Sequence, residues 1–376
     1  MSDPRADGAS PSARMVDWDL AVKVGSRLVG EGPQVSRREA ADAVAELRAG
    51  ADRSTQLVRD FTGLVATERS APVLVVDRPG WIQANADGFA TIMAPLLDKL
   101  TEKKGPPGGL TQAVGSRVTG VELGTMLGFL GSKVLGQFDP FHDAPGEQGR
   151  LLLVAPNIVH VERELGADPH DFRLWVCLHE ETHRVQFTAV PWMTDHLRSE
   201  MASILDSVQT DPAELLGDLV RKLSGRAGSS GPSAGGAGGG AGGGAGAKSD
   251  GSLLDMFASP EQKAVIDRVT GVMSLLEGHA DVVMDGVGPE VIPSVARIRR
   301  KFTERRKGVG ALDRLLRRLL GLDQKMAQYR DGAVFVRAAI DKVGMDGFNA
   351  VWAEPANLPS KSEILDPALW VARVHG

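Results

Sequence analysis

The chain has 376 residues, 42% hydrophobic and 24% charged, proportions of an ordinary globular protein that exclude a wholly disordered, collagen-like or fibrous chain. Forty-three Lys and Arg against 48 Asp and Glu leave a net charge of -5, which argues against a protein whose whole surface is basic and coated with nucleic acid. One cysteine, Cys177, admits no internal disulfide, and the opening MSDPRADGASPSARMVDWD has no apolar export segment, so the expected compartment is the cytoplasm.

Residues 1–15 are Ser, Ala, Asp and Pro without periodicity, and read as a frayed tail. Ser36-Arg37-Arg38-Glu39 predicts a helix start in which hydroxyl and carboxylate cap each other's exposed amides. PVLVVD at 72–77 reads as a buried strand closed by Arg78-Pro79-Gly80, with helix resuming near Trp81. Gly120, Gly124 and Gly128 lie four apart, so the 121–138 segment is expected to be a buried core helix whose small-residue face lets another backbone approach. Its Glu122 and Lys133 disqualify it as a membrane span, and no other run qualifies.

LLLVAP at 151–156 reads as a second strand that stops at its proline. Asn157 is the expected cap of a short helix ending at Gly166, and Asp168-Pro169-His170-Asp171 opens the next, which runs to about Thr188. Residues 225–251 contain 13 glycines and too few side chains to build a core, so they read as a disordered insertion. Residues 16–224 and 252–376 are then two parts of one domain. Ser259-Pro260-Glu261-Gln262 starts a further helix, and others follow, including 311–320 and 324–343. The fold class expected is mainly α with a small β-sheet.

The chemistry concentrates in WVCLHEETHRVQF, residues 175–187. His179 and His183 are four apart on a helix, so both imidazoles project from one face and can share a tetrahedral zinc ion. Glu180 sits beside that position and is the candidate general base for a zinc-bound water. Glu181, Thr182 and Arg184 are assigned to solvated or supporting faces of the helix. Cys177, about 200° from His179, reads as a small buried residue.

A third ligand is required. Glu277 and Asp281 in EGHAD are i and i+4, so one carboxylate can bind zinc while the other accepts a hydrogen bond from a ligand imidazole. Glu277 ranks first; His279 points elsewhere, and His196 and Glu200 are the runners-up.

HEETH followed by that downstream ExxxD resembles the Glu-ligand branch of zincin metallopeptidases. The segments VAPNIVHVERELG, FRLWVCLHEETHRVQF and EGHADVVMD resemble a bacterial group of zincin-like hydrolases, also labelled zinc-dependent metalloproteases or factor-420 coenzyme biosynthesis-associated proteins. The resemblance runs from about Asp17 to Trp370, outside the glycine-rich insertion. It implies a zincin-like metallohydrolase domain with His179, His183 and Glu277 as zinc ligands, Glu180 as base and Asp281 as the acid supporting a ligand imidazole. One departure is the 94 positions between His183 and Glu277, far more than in thermolysin-like enzymes.

Weaker signals surround this core. Tyr329, the chain's one tyrosine, is a candidate donor to a tetrahedral oxyanion, against an ordinary core or surface role. The 151–155 strand is either an edge that holds an extended substrate or a plain core strand. Arg297, Arg299, Arg300, Lys301, Arg305, Arg306 and Lys307, with Arg314, Arg317 and Arg318 beyond, form a basic stretch that suits an acidic partner or a solvated helix face. The absence of interleaved aromatics tells against nucleic acid. The leading expectation is therefore a zinc-dependent peptidase or amide hydrolase, and the alternative is a non-catalytic zinc-binding scaffold that docks a partner.

Overall fold

The structure is a computed structural model that describes residues 15–66, 71–104, 109–207, 260–307 and 322–376. The glycine-rich 225–251 segment, the helix expected at 311–320 and nearly all of the 1–15 tail lie outside the described residues. Twelve described helices surround a three-stranded sheet, so the chain is mainly α with a small sheet, as the sequence predicts.

Helix α1 (Trp18–Leu28) is capped by the Asp17 carboxylate, which accepts from the Leu20 amide at 2.9 Å. Helix α2 (Arg37–Thr62) starts on the expected capping box: Ser36 and Glu39 satisfy each other's backbone amides, and Gly63 ends the helix in the left-handed region. Strand β1 (Val73–Val76) follows, then helix α3 (Arg78–Lys104) and helix α4 (Gly109–Gly131).

Helix α4 corrects the expectation for 121–138 in two respects. It stops at Gly131, and Gly136–Asp139 forms a strand, β2. It is also only half buried, since Val118, Val121 and Met126 face solvent. Its glycine face behaves as predicted. A Cβ on Gly120 would lie 2.6 Å from the Asp17 carbonyl and one on Gly128 2.9 Å from the Gly25 carbonyl, so α1 and α4 meet backbone to backbone.

Strand β3 (Arg150–Val154) is the centre of the sheet, in the order β1-β3-β2, parallel to β1 and antiparallel to β2. The reading of 151–155 as a substrate-binding edge is therefore overturned. Leu151 to Val154 are all buried, because a strand paired on both sides and covered on both faces reads as an unbroken apolar run. The edge next to the chemistry is β2.

Helix α5 (Ala155–Leu165) begins directly off β3, with no side-chain cap. Asn157 is not its cap: buried inside the first turn, it accepts from Arg78 Nε at 2.7 Å and donates to the carbonyls of Gly131 and Val134. It thereby satisfies the end of α4 across the chain. Helix α6 (Pro169–Thr188) starts on Asp168, which accepts from the Asp171 amide as expected. Helix α7 (Met193–Ser207) follows. After the undescribed interval come α8 (Pro260–Val287), α9 (Val295–Lys307), α10 (Leu322–Phe348) and the short α11 (Lys361–Leu365) and α12 (Pro367–His375).

Helix α6 is buried on nearly every side, packing against α2, α8 and the sheet. Helix α8 crosses α10 where Gly278 meets Gly332, close enough that a side chain on either would strike the opposing backbone. These two crossings place α8 alongside the face of α6 that carries His179 and His183.

Candidate metal centre

Proline at the first helical position and the Asp168 cap start α6, and its helical pitch then brings His179 and His183 one above the other. The rings meet edge to face with centroids 4.7 Å apart, and their Nε2 atoms approach to 3.3 Å. Glu277 arrives from α8, its two oxygens 3.7 Å from His179 Nε2 and 3.8 Å from His183 Nε2. All three donor atoms lie within 4.8 Å of one another.

That triangle tests whether a zinc ion fits. Four tetrahedral ligands at about 2.0–2.1 Å from one ion stand about 3.3–3.4 Å apart. The two nitrogens stand 3.3 Å apart and each lies 3.7–3.8 Å from a different oxygen of the Glu277 carboxylate, with one donor atom from each residue within 4.8 Å of the others, so the set is near that spacing and a modest closure would meet it. Two imidazoles and one carboxylate also match the donor preference of zinc, and three protein ligands leave a fourth position for a reactant. Each of the three side chains keeps some solvent exposure, His183 the least at 13%.

Glu180 is 7% exposed and packs against β2. A Cβ on Gly136 would fall 2.6 Å from its Cγ, 2.7 Å from Cδ and 2.8 Å from Oε1, so the carboxyl occupies space that only a glycine leaves open. Burial raises the Glu180 carboxyl to about 8, and the adjacent Glu277 charge adds to the rise. A cation held by the three donors acts in the opposite sense, favouring the carboxylate.

A model of the zincin-like metallopeptidases matches residues 16–371. The chain belongs to this zincin-like metallopeptidase family. It is also similar to a chain from Chloroflexus aurantiacus, whose crystal structure is described as that of a proposed hydrolase with a novel fold, at 30% identity and a TM-score of 0.64, covering 95% of this chain and 98% of that one. No curated protein matches it. Family and structural relative together support a metallohydrolase.

Within this zincin-like chain the other candidates separate. His196 and Glu200 stay out of the cluster: the His196 ring lies edge-on to Trp192, and Glu200 pairs with Arg268 of α8 at 2.9 Å. His279 is fully buried on another face of α8, against Phe348 and Trp352. Asp281, one turn beyond Glu277, has its carboxylate 3.6 Å from the Arg299 guanidinium, which also reaches Asp285 at 2.8 Å. Tyr329 falls on α10, and its side chain lies outside the described part of the structure.

Of the solvated and supporting faces expected for Glu181 and Thr182, burial overturns the solvated one, since both are fully buried. The Glu181 carboxylate accepts from Arg184 at 2.7 and 2.5 Å, and Arg184 goes on to Thr55 of α2 and the Ala71 carbonyl. Burial pushes the Glu181 carboxyl up while Arg184 pulls it down. This ion pair ties α6 to α2 on the side away from His179 and His183. Cys177 is buried as expected, its Sγ 3.4 Å from the Leu47 carbonyl.

The basic stretch is largely engaged within the chain. Arg297 and Lys301 donate to the last carbonyls of α5, and Arg305 pairs with Glu164 at 2.8 Å. The Arg306 and Lys307 side chains and positions 314, 317 and 318 are outside the described part.

Two residues escaped the sequence reading. Gly136 carried no signal, because a glycine at the start of a short strand is common. Gln186 carried a weak one, its position i+3 from His183. It touches that ligand, and Met284 Sδ lies 3.3 Å from His179 Nδ1.

Proposed function

We propose that this protein is a zinc-dependent hydrolase acting on a peptide or related amide, with His179, His183 and Glu277 holding the ion. The observation that carries the proposal is the convergence of those three donors beside a buried carboxyl, although 94 positions separate His183 from Glu277. Zinc bound there supplies a Lewis acid for the scissile carbonyl and lowers the pKa of water to about 7.

The protein's own contribution is positioning and proton transfer. Glu180, held against Gly136, takes a proton from the attacking water and delivers it to the leaving amine. Its burial restricts competing water and raises its affinity for that proton. Asp281 is offered as the acid that accepts a hydrogen bond from a ligand imidazole and Tyr329 as an oxyanion donor, each resting on its position alone. Among the described residues no helix is long and apolar enough to cross a membrane. We place the protein in the cytoplasm on its cysteine usage, a single thiol that can form no internal disulfide. An acidic partner at 297–307 is a subordinate proposal. The factor-420 label of the resembling group defines no reaction, so the proposal rests on site chemistry alone.

The decisive comparison is wild type against Glu180→Gln, with zinc measured by mass spectrometry and cleavage followed over a fluorogenic peptide library. Both proteins are expected to carry one zinc, and only the wild type to cleave, the variant losing about 10²–10⁴-fold. Zinc-loaded wild type that cleaves nothing would favour the scaffold reading. Equal cleavage by both would remove Glu180 from the chemistry.

A further inference from the structure

A carbonyl oxygen can only accept a hydrogen bond, and that fact orients a chain of groups behind His183. The Leu276 carbonyl lies 2.9 Å from one end of the Gln186 amide, so that end is the NH2 group. The opposite end, Oε1, then faces His183 Nδ1 at 2.9 Å, and this nitrogen must carry the ring proton. His183 Nε2 is left with its lone pair, directed at the cluster formed with His179 and Glu277. The second amide hydrogen points at His279 Nδ1, also 2.9 Å away, which makes that nitrogen an acceptor. Turning the amide over would set its oxygen against the Leu276 carbonyl, acceptor against acceptor.

Gln186 and His279 are both fully buried, so water does not compete for these bonds. The His279 ring is itself clamped, with its centroid 5.6 Å from Phe348 and 5.3 Å from Trp352. Leu276 is the residue before Glu277. A single amide therefore couples the ring of one donor, on α6, to the backbone beside another, on α8.

We propose that Gln186 is the positioning residue of the metal centre, holding His183 in the Nδ1–H tautomer with Nε2 presented to the ion, and that Leu276 and His279 hold Gln186. This rests on the reading of His179, His183 and Glu277 as a zinc site. A donor set fixed in tautomer and orientation before the ion arrives loses less on binding than one that must be selected. Removing such a support typically weakens metal affinity by about 10–100-fold.

The test uses full-length protein. Gln186→Met keeps the volume and removes the hydrogen bonds; Gln186→Asn stays polar but is one methylene too short to reach His183 and Leu276 together. Zinc affinity is measured by competition with a chromophoric chelator. The tautomer of His183 in metal-free protein is read by NMR of ¹⁵N-histidine-labelled samples, assigned with His183→Asn. We expect zinc binding weakened about 10–100-fold in whichever variant folds, together with loss of the fixed Nδ1–H signature. A merely structural glutamine would alter melting temperature and leave both readouts alone. Zinc affinity within twofold of wild type with an unchanged His183 tautomer overturns the proposal. Should wild type bind no zinc at all, the hydrolase reading fails separately, and the NMR comparison alone decides: a tautomer lost in the variants upholds the role of Gln186, one retained refutes it.

Discussion

Gly136→Ala is the sharpest probe of how the fold aims its base. The new methyl would lie 2.6–2.8 Å from Cγ, Cδ and Oε1 of Glu180, whereas ordinary carbon contacts are about 3.5–4.0 Å. Relief requires a shift of about 1 Å, and the flexible carboxyl end gives way more readily than β2, which is hydrogen-bonded to β3. Gly136 is not at positive φ, so the effect is steric rather than conformational. Overpacking of this kind costs about 1–3 kcal/mol, or a few degrees of melting temperature in a chain of this size. A displacement of about 1 Å in a catalytic group costs about 100-fold in rate. His179, His183 and Glu277 are not among the atoms nearest the methyl group, so any metal content of the wild type should be unchanged. Calorimetry, zinc analysis and kcat/KM on a peptide cleaved by wild type make the assay. A variant with wild-type melting temperature and kcat/KM would refute the packing argument.

Arg184→Met strands a fully buried Glu181 carboxylate and should destabilise the protein by about 3–5 kcal/mol in urea unfolding, with Glu181→Gln in the same chain recovering much of the loss; a loss under about 1 kcal/mol would show that the carboxyl is not held as an ion. Glu363 supplies a pH-dependent case. Burial alone pushes its carboxyl up, but hydrogen bonds from Arg373 and Ser360 outweigh burial and hold it below the usual carboxylate range. A lowered pKa in the folded state means that the unfolded chain binds the proton more tightly, so the stabilisation is present above that range and is lost as pH falls through it. Glu363→Gln should therefore cost about 1 kcal/mol at pH 7, the scale of a lost helix cap, and the gap from wild type should close in acid. A gap that persists unchanged at pH 3 would contradict the assignment.

Much of the local structure was legible in residue order because its causes are local. The Ser36–Glu39 capping box, the Asp168–Pro169 helix start and the four-residue spacing of His179 and His183 each depend on atoms a few bonds apart, and all three are found as expected. The glycines at 120, 124 and 128 announced a close helix contact for the same reason, although nothing in their spacing named α1 as the partner. Asn157 shows the limit. Its sequence context fits a helix cap, yet a longer-range demand, the unsatisfied carbonyls at the end of α4, claims its side chain.

The pitch of an α-helix determined from sequence alone that His179, Glu180 and His183 lie together at one place on the protein. Which acid completes the set was a question of tertiary structure. Glu277, His196 and Glu200 are chemically eligible, and the crossing of α8 with α6 and α10 brings Glu277 beside the two histidines while the other two stay apart. The depth of Glu181, the strand order that puts β2 beside Glu180 and the hydrogen-bond sense that fixes Gln186 belong to the same category. Each depends on which distant backbone comes to rest within hydrogen-bonding reach, and that is settled by burial of the whole core rather than by neighbours in the chain.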